Sequence, residues 1–325
     1  MATREFVRTG WRRCTSTMIS VHWRMHYITS HTSKQEVLPM MSDSCSADTS
    51  LYTPGDAEAE LLHRITFPLN YCNVPSWLLA SVAYQDNPIP LELDGISTWY
   101  PRLFDSLKGE QDPVARARSF NDFMTARFHL AKVKPQNQDM DDSPPRPKVN
   151  YRRLLLGWLF DSDNEQGAAW RSWVESRFGL VTCFHKESVS GPDSPEYLRF
   201  RQTCTRAIYN TNELYSQLDL LYCFCQQELR LRYPGTNHLT LYRGCAELPE
   251  HTLDGQSVRL FNNLSSFTAD PESALRFGSQ VYAVKVPFQK VACFESLLPQ
   301  GLQGEQEFMV LGGLYRAEKV RLLAI

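Results

Sequence analysis

The sequence predicts an α+β protein in which a helical N-terminal region precedes a mainly antiparallel sheet. Between residues 56 and 233, apolar side chains recur at helical spacing. After Pro234-Gly235 the chain changes to short runs of β-branched and aromatic residues separated by turn residues. Three parts are predicted: an extension at 1–55 that is weakly ordered or results from a wrongly assigned start, a helical region at 56–235 and a β-rich core at 236–325.

The first forty residues do not fit the rest of the chain. They are basic and contain Trp11 and Trp23, but they lack the continuous apolar segment of a secretory signal. Met40 and Met41 stand directly before a polar segment rich in Ser and Asp. The hypothesis that follows is that the native start lies there. The sequence has no run of about 18 apolar residues, so no membrane span is expected.

The helical region contains several predicted helices and two connectors. Apolar stripes and start or stop residues predict helices opening at Pro75, over 117–128, 151–160 and 168–178, from Ser194-Pro195-Glu196, and over 214–229. The dense aromatic residues of this region, Trp158 among them, are interpreted as core packing. Residues 134–149, rich in prolines and acids, are expected to form a mobile surface loop, and 188–195 a shorter connector.

The last third of the chain contains six predicted strands and one predicted helix. Asp270 as cap, Pro271 at the first position and Gly278 after the end define the helix. The strands are predicted at 239–242, 260–268, 281–286, 291–294, 308–311 and 319–325.

Composition argues against several classes of function. The formal net charge of -2 gives no electrostatic reason to expect nucleic acid or an anionic membrane as partner. The nine cysteines lack metal-ligand spacing, since Cys223 and Cys225 are too close for the usual Cys-x-x-Cys pair. Free thiols in apolar surroundings indicate a reducing, cytoplasmic setting.

Three short polar patterns in the β-rich part are candidate site residues. Arg243-Gly244 ends a strand, Ser266 and Thr268 share a strand face, and Glu305 and Glu307 share a face at the mouth of an apolar strand. Taken singly, each pattern also fits an ordinary surface ion pair, β-propensity or solvated turn acids. Their order along the chain is the unusual feature.

That order resembles the mono-ADP-ribosyltransferases of the Arg-Ser-Glu class. The segments LTLYRG, NNLSSFTAD and GEQEFMVLGG are similar to one branch, the dinitrogenase reductase ADP-ribosyltransferase family of nitrogen-fixing bacteria. NYCNVPSWLLAS, GWLFDSDN, WVESRFGL and YSQLDLLYCFC support the same branch, so the resemblance covers about residues 65–325. It implies a two-sheet, ADP-ribosyltransferase-type NAD-binding core.

The resemblance also implies a function. The expected enzyme transfers ADP-ribose from NAD to an arginine of dinitrogenase reductase, releases nicotinamide and reversibly inactivates nitrogenase. NAD would be a co-substrate, and no visible motif calls for a metal. A PII-type nitrogen-signalling protein is the implied activator, and the helical region is the expected platform for both partners.

Each motif residue has an expected role in that reaction. Glu307 would stabilise the positive charge that develops on the ribose, Ser266 would hold Glu307, and Arg243 would bind a pyrophosphate or ribose oxygen. The backbone of Gly244 would pair with the nicotinamide amide. Glu305 would draw in the acceptor guanidinium, which in the family goes with arginine as acceptor.

Some assignments stay open at this stage. Ser265 could replace Ser266 if the register shifts by one residue. Thr268 is a further candidate NAD contact, and either Phe267 or Phe277 could stack on nicotinamide. The alternative functions are a non-catalytic NAD-binding regulatory module, an arginine-specific transferase with another acceptor, a glycoside hydrolase and a secreted ADP-ribosylating toxin.

Overall fold

The computed structural model describes residues 53–130, 149–183, 194–209, 211, 213–246, 248–299 and 307–320. All of them belong to one compact unit, residues 46–325. Nearly all of the expected extension at 1–55, including a start near Met40, lies outside these ranges. So do the loop expected at 134–149, except for its last residue, and the connector at 188–193.

Eleven α-helices occur among the described residues, and ten of them lie before residue 235, which confirms the predicted helical region. They are α1 Asp56–Ile65, α2 Ser76–Ala80, α3 Val82–Asp86, α4 Ile96–Trp99, α5 Pro101–Gly109, α6 Pro113–Arg127, α7 Tyr151–Phe160, α8 Glu165–Phe178, α9 Pro195–Ile208, α10 Leu214–Arg232 and α11 Pro271–Ala274. Within the described residues, none of these helices combines the length and apolarity that crossing a bilayer requires.

The ends of these helices follow the local sequence. The Asn150 side chain accepts hydrogen bonds from the backbone N–H groups of Arg152 and Arg153 and so caps α7. Ser194 caps α9 and Asp270 caps α11 in the same way, as the sequence predicts. Gly179 ends α8 with a φ of 66°, a left-handed conformation that favours glycine.

The β-rich part contains seven strands, and every pair that they form is antiparallel. They are β1 His238–Cys245, β2 Glu250–Leu253, β3 Gln256–Thr268, β4 Gln280–Pro287, β5 Val291–Phe294, β6 Glu307–Tyr315 and β7 Ala317–Val320. The sequence analysis missed β2. Asp254 and Gly255, both with positive φ, join β2 to β3 in a two-residue hairpin turn.

Strand pairing forms one path, β5-β6-β3-β1-β4-β7, with β2 added to β3. The link between β3 and β1 is a single residue pair, Tyr242 with Thr268. The two sheets expected from the resemblance therefore appear as two strand groups that are joined at one point. One group contains β2, β3, β6 and β5, and the other contains β1, β4 and β7.

A β-bulge in β3 sets the register of the site. Between Phe261 and Leu264 the strand has one residue more than its partner β6. Two side chains of the bulge bind the segment that follows α8. Asn262 Nδ2 donates to the Cys183 carbonyl at 2.6 Å. Asn263 Nδ2 donates to the Leu180 carbonyl at 3.2 Å. The segment after α8 therefore holds the bulge in place.

The helices and the sheet share one hydrophobic core. Buried side chains of α8 and α10, such as Trp173 and Leu221, belong to the same cluster as Val310 and Leu311 of β6. Gln226 Nε2 on α10 donates to the main-chain carbonyls of Phe288 and Val291 at 2.9 and 2.8 Å. The helical layer is thus fastened to the sheet that carries the candidate site residues.

A buried ion pair inside the helical layer generates the first prediction. Arg116 and Glu228 are 4% and 0% exposed, and the guanidinium contacts both carboxylate oxygens. Arg116→Ala leaves the buried carboxylate with one cationic partner, Arg232, whose Nε lies 3.1 Å from Glu228 Oε2, so we expect a loss of about 3 kcal/mol in the free energy of unfolding. Urea denaturation measures it. The matched control is Arg127→Ala, which breaks an exposed pair with Glu213 and should cost at most about 1 kcal/mol. Equal losses in the two variants would contradict the prediction.

The buried side chain of Lys290 leads to the second prediction. Lys290 is 0% exposed, its Nζ lies 4.1 Å from the centroid of the Tyr315 ring, and it has no hydrogen-bond partner among the described residues. Burial lowers the pKa of Lys290 to about 7, from 10.5. Between pH 10.5 and about 7, Lys290 is therefore protonated in the unfolded chain more often than in the folded protein. Because the unfolded chain binds more protons, the contribution of Lys290 to stability falls as the pH drops through this range.

Lys290→Met should therefore be more stable than the natural protein at and below neutral pH, because methionine carries no charge to bury. The difference should shrink as the pH is raised toward the pKa of the unfolded chain. Urea denaturation across this pH range measures both effects. Lys285→Met, at an exposed position of β4, is the control. A stability difference that is the same at every pH would disprove the assignment.

Candidate active site

Three predicted site residues meet where β1 and β3 separate. Arg243 follows the joining residue Tyr242 on β1, Ser266 precedes Thr268 by two on β3, and Glu307 of β6 pairs with Thr268. Beyond the single pair no further pairing between β1 and β3 is present among the described residues. Instead, the Arg243 Nη1 donates to the main-chain carbonyl of Ser266 and bridges the two strands.

A tryptophan of the helical layer connects two of these residues. Trp158 of α7 is 3% exposed, and its Nε1 lies 3.0 Å from Ser266 Oγ and 3.0 Å from Glu307 Oε1. The sequence analysis interpreted Trp158 only as packing. A buried indole N–H needs an acceptor, and that requirement could have marked Trp158 as a partner of a polar site.

Arg171 of α8 is a second residue that the sequence analysis missed. Its Nη1 donates to the Leu264 carbonyl of β3 at 2.8 Å, and its Cζ lies 5.3 Å from the centroid of the Trp158 ring. Its Nη2 lies 3.8 Å from the Asp163 carboxylate. The guanidinium therefore supports the indole and ties it to the strand that carries Ser266.

Burial perturbs the charges of the site. Desolvation lowers the pKa of Arg243, while Cys245 and Glu307 act in the opposite direction. Burial likewise lowers the pKa of Arg171 to about 10; Asp163 opposes this effect and the charge of Arg243 adds to it. Both guanidinium groups remain cationic at neutral pH. The charge of Glu307 therefore acts on Arg243, and the charge of Arg243 acts on Arg171.

The register of β3 selects Ser266 over Ser265. Ser265 is 7% exposed, and its Oγ lies 3.4 Å from the Asn262 carbonyl, away from the contacts made by Ser266. Phe267 is 2% exposed and packs against Phe261, with ring centroids 5.2 Å apart. Neither residue joins the group around Glu307.

Further residues predicted for the site are Thr268, Phe277 and Glu305. Thr268 is buried, and its Oγ1 accepts a hydrogen bond from the Asp270 N–H at 3.2 Å. Phe277, the alternative stacking residue, is 53% exposed in the turn after α11. Glu305 lies outside the described residues. Within the part of the chain that the structure describes, no group of three or more His, Cys, Asp and Glu side chains is arranged to hold a metal.

Gly244 is needed for packing. A Cβ atom at this position would lie 1.7 Å from the main-chain oxygen of Ala274. The absent side chain lets α11 lie directly against β1, next to Arg243. The sequence analysis expected the bare backbone to approach a ligand, and the structure adds this close approach of another backbone segment.

Comparisons with known proteins agree on one family. A family model described as dinitrogenase reductase ADP-ribosyltransferase (DRAT) matches residues 69–319. The chain is also 34% identical over 257 residues to the NAD(+)--dinitrogen-reductase ADP-D-ribosyltransferase of Rhodospirillum rubrum, which covers 76% of this chain and 92% of that protein. No solved structure matches the chain.

The packing at Gly244 leads to a third prediction. In Gly244→Ala the new methyl group must displace α11 or β1, and overpacking of this kind costs about 1–3 kcal/mol or more. Urea denaturation measures the loss. Gly109→Ala is the control, because a Cβ atom at Gly109 would have no neighbour within 4 Å, and this variant should keep the natural stability or gain slightly. Full stability of Gly244→Ala would contradict the observed close approach.

Proposed function

The chain belongs to the dinitrogenase reductase ADP-ribosyltransferase family, and on this basis we propose how its site acts. It transfers ADP-ribose from NAD to an arginine side chain of dinitrogenase reductase and releases nicotinamide. The modification reversibly inactivates nitrogenase. The observation that supports this assignment best is the meeting of Arg243, Ser266 and Glu307 at the junction of the two strand groups.

Glu307 is the proposed catalytic residue. Breaking the bond between ribose and nicotinamide leaves positive charge on the sugar, so the reaction depends on orientation and on electrostatic stabilisation of an oxocarbenium-like state. A carboxylate fixed beside the ribose supplies this stabilisation. Glu307 suits the role because Trp158 and the strand β3 restrict its position.

Arg243 is the proposed ligand of the NAD pyrophosphate. Nη1 is used by the Ser266 carbonyl, and among the described residues no partner is found for the remaining guanidinium nitrogens. They can therefore bind an anionic oxygen, and the planar guanidinium suits this better than a lysine. Thr268 and the backbone of Gly244 complete the proposed NAD contacts. Phe277 is the better placed candidate for stacking on nicotinamide, since Phe267 is buried in the core.

Glu305 is the proposed selector of the acceptor. It stands two residues before Glu307 in the sequence, the position that in the Arg-Ser-Glu class goes with transfer to arginine. A guanidinium is charged at any ordinary pH, and a carboxylate both attracts it and helps to make it nucleophilic. The arginine acceptor in this proposal depends on that residue.

The proposed setting of the enzyme is the cytoplasm, with a PII-type signalling protein as activator. All seven described cysteines are free thiols, which suits a reducing compartment. We assign the helical region, 56–235, to partner recognition and the part at 236–325 to catalysis. The contact of Trp158 with Glu307 supports a close dependence of the second part on the first.

Two glutamate variants test the proposed chemistry, our fourth prediction. With NAD labelled in its adenylate part and purified dinitrogenase reductase as acceptor, Glu307→Gln should lose roughly a hundredfold to a thousandfold in transfer, because the charge that stabilises the transition state is gone. Glu305→Gln should lose transfer to arginine and keep NAD hydrolysis. Mass spectrometry locates the modified residue.

The control is Glu318→Gln, at an exposed position of β7, which should transfer at the natural rate. Undiminished transfer by Glu307→Gln would rule out its catalytic role. Label on a side chain other than arginine, or on no residue of dinitrogenase reductase, would rule out the proposed acceptor.

A further inference from the structure

We propose that Trp158 is a positioning residue that holds Glu307 in its reactive orientation through the indole N–H. This inference rests on the proposed role of Glu307 and adds a residue from outside the Arg-Ser-Glu pattern. It concerns a contact between α7 in the helical region and strands β3 and β6 in the catalytic part. The helical layer thereby becomes part of the catalytic apparatus.

The indole N–H of Trp158 is shared between two acceptors. An indole has one N–H proton, and the two acceptors, Ser266 Oγ and Glu307 Oε1, each lie 3.0 Å from Trp158 Nε1. One proton therefore points between the two oxygens and keeps them on the same side of the indole. A hydrogen bond to a carboxylate favours its ionised form, the form that can stabilise a cationic ribose.

Contacts of the Trp158 ring restrict its movement. The Arg171 guanidinium lies over the ring and donates to the Leu264 carbonyl of β3. Asn263 Nδ2 donates to the main-chain carbonyl of Arg171 at 3.0 Å and so binds α8 to the same strand. The indole and the strand that carries Ser266 are thus tied together through one arginine.

Helices α7 and α8 approach each other closely beside Trp158. A Cβ atom at Gly157, next to Trp158, would lie 2.5 Å from side-chain carbons of Gln166. Asn164 Nδ2, from the N-cap of α8, donates to the Gly157 carbonyl at 2.8 Å. The helix turn that carries Trp158 is therefore fixed against α8. A group held at both its helix and its ring loses little conformational freedom when it orients a carboxylate.

The test, our fifth prediction, compares two Trp→Phe variants in the full chain. Trp158→Phe keeps an aromatic ring under Arg171 and removes the N–H that Ser266 Oγ and Glu307 Oε1 share. Trp173→Phe is the matched control: Trp173 is also buried in the helical layer, and its Nε1 donates to a different carboxylate, Asp219 Oδ1, at 2.7 Å. Nicotinamide release, transfer to dinitrogenase reductase and thermal unfolding are measured for both variants and for Glu307→Gln.

For Trp158→Phe we expect kcat to fall roughly tenfold to a hundredfold with little change in KM for NAD, since the variant loses a hydrogen bond to a charged group and no contact of Arg243. The acid limb of the pH profile should move to higher pH, because a carboxylate without its donor is protonated more readily. Trp173→Phe should unfold at a lower temperature and keep the natural pH profile.

Unchanged kcat and pH profile in Trp158→Phe would overturn the inference, and so would equal changes in both Trp→Phe variants. If Glu307→Gln retains full activity, the proposed catalytic role of Glu307 fails instead. An NMR readout then still decides the inference: the indole N–H resonance that is absent in Trp158→Phe should shift as the pH is lowered, and Glu307→Gln should abolish that shift. A resonance insensitive to both changes would refute the contact.

Discussion

The structure of the site depends on one main-chain constraint, the single pair that joins β1 to β3 at Tyr242 and Thr268. Had the two strands continued to pair, backbone hydrogen bonds would have closed the sheet, and no side chain could have entered between them. Because pairing stops, the Ser266 carbonyl is bound by the Arg243 guanidinium instead of by a strand. The same interruption leaves Glu307, the partner of Thr268, at the opening.

Residues of the helical layer set the burial and the charge around the place where β1 and β3 separate. Arg171 and Trp158 come from α8 and α7, and both lie almost completely buried against β3. Water is thereby excluded on one side of Glu307 and Arg243, and Coulomb interactions are stronger where water is scarce. Burial and the charge of Arg243 lower the pKa of Arg171, and the Asp163 carboxylate opposes both effects.

Sequence patterns were sufficient for elements with clear ends and strong periodicity. Helices α7 and α10 carry apolar residues at helical spacing, so the sequence predicts both close to their observed bounds. The grouping of Arg243, Ser266 and Glu307 was expected from the family resemblance that their order along the chain carries. Trp158 could not be connected to this group, because 108 residues separate it from Ser266 and 149 from Glu307. Only tertiary packing brings such residues together.

The β3 bulge has a consequence for how sequences of this type are aligned. The residues on either side of the bulge, Phe261 and Leu264, pair with residues two apart on β6, so they lie on the same face although they are three apart in the sequence. Deleting one residue between them would convert the bulge into regular strand and leave Ser266 opposite Met309, on its present face. A related sequence one residue shorter here keeps the same serine beside the acid, so an alignment should place its gap between Phe261 and Leu264 and not within the serine segment.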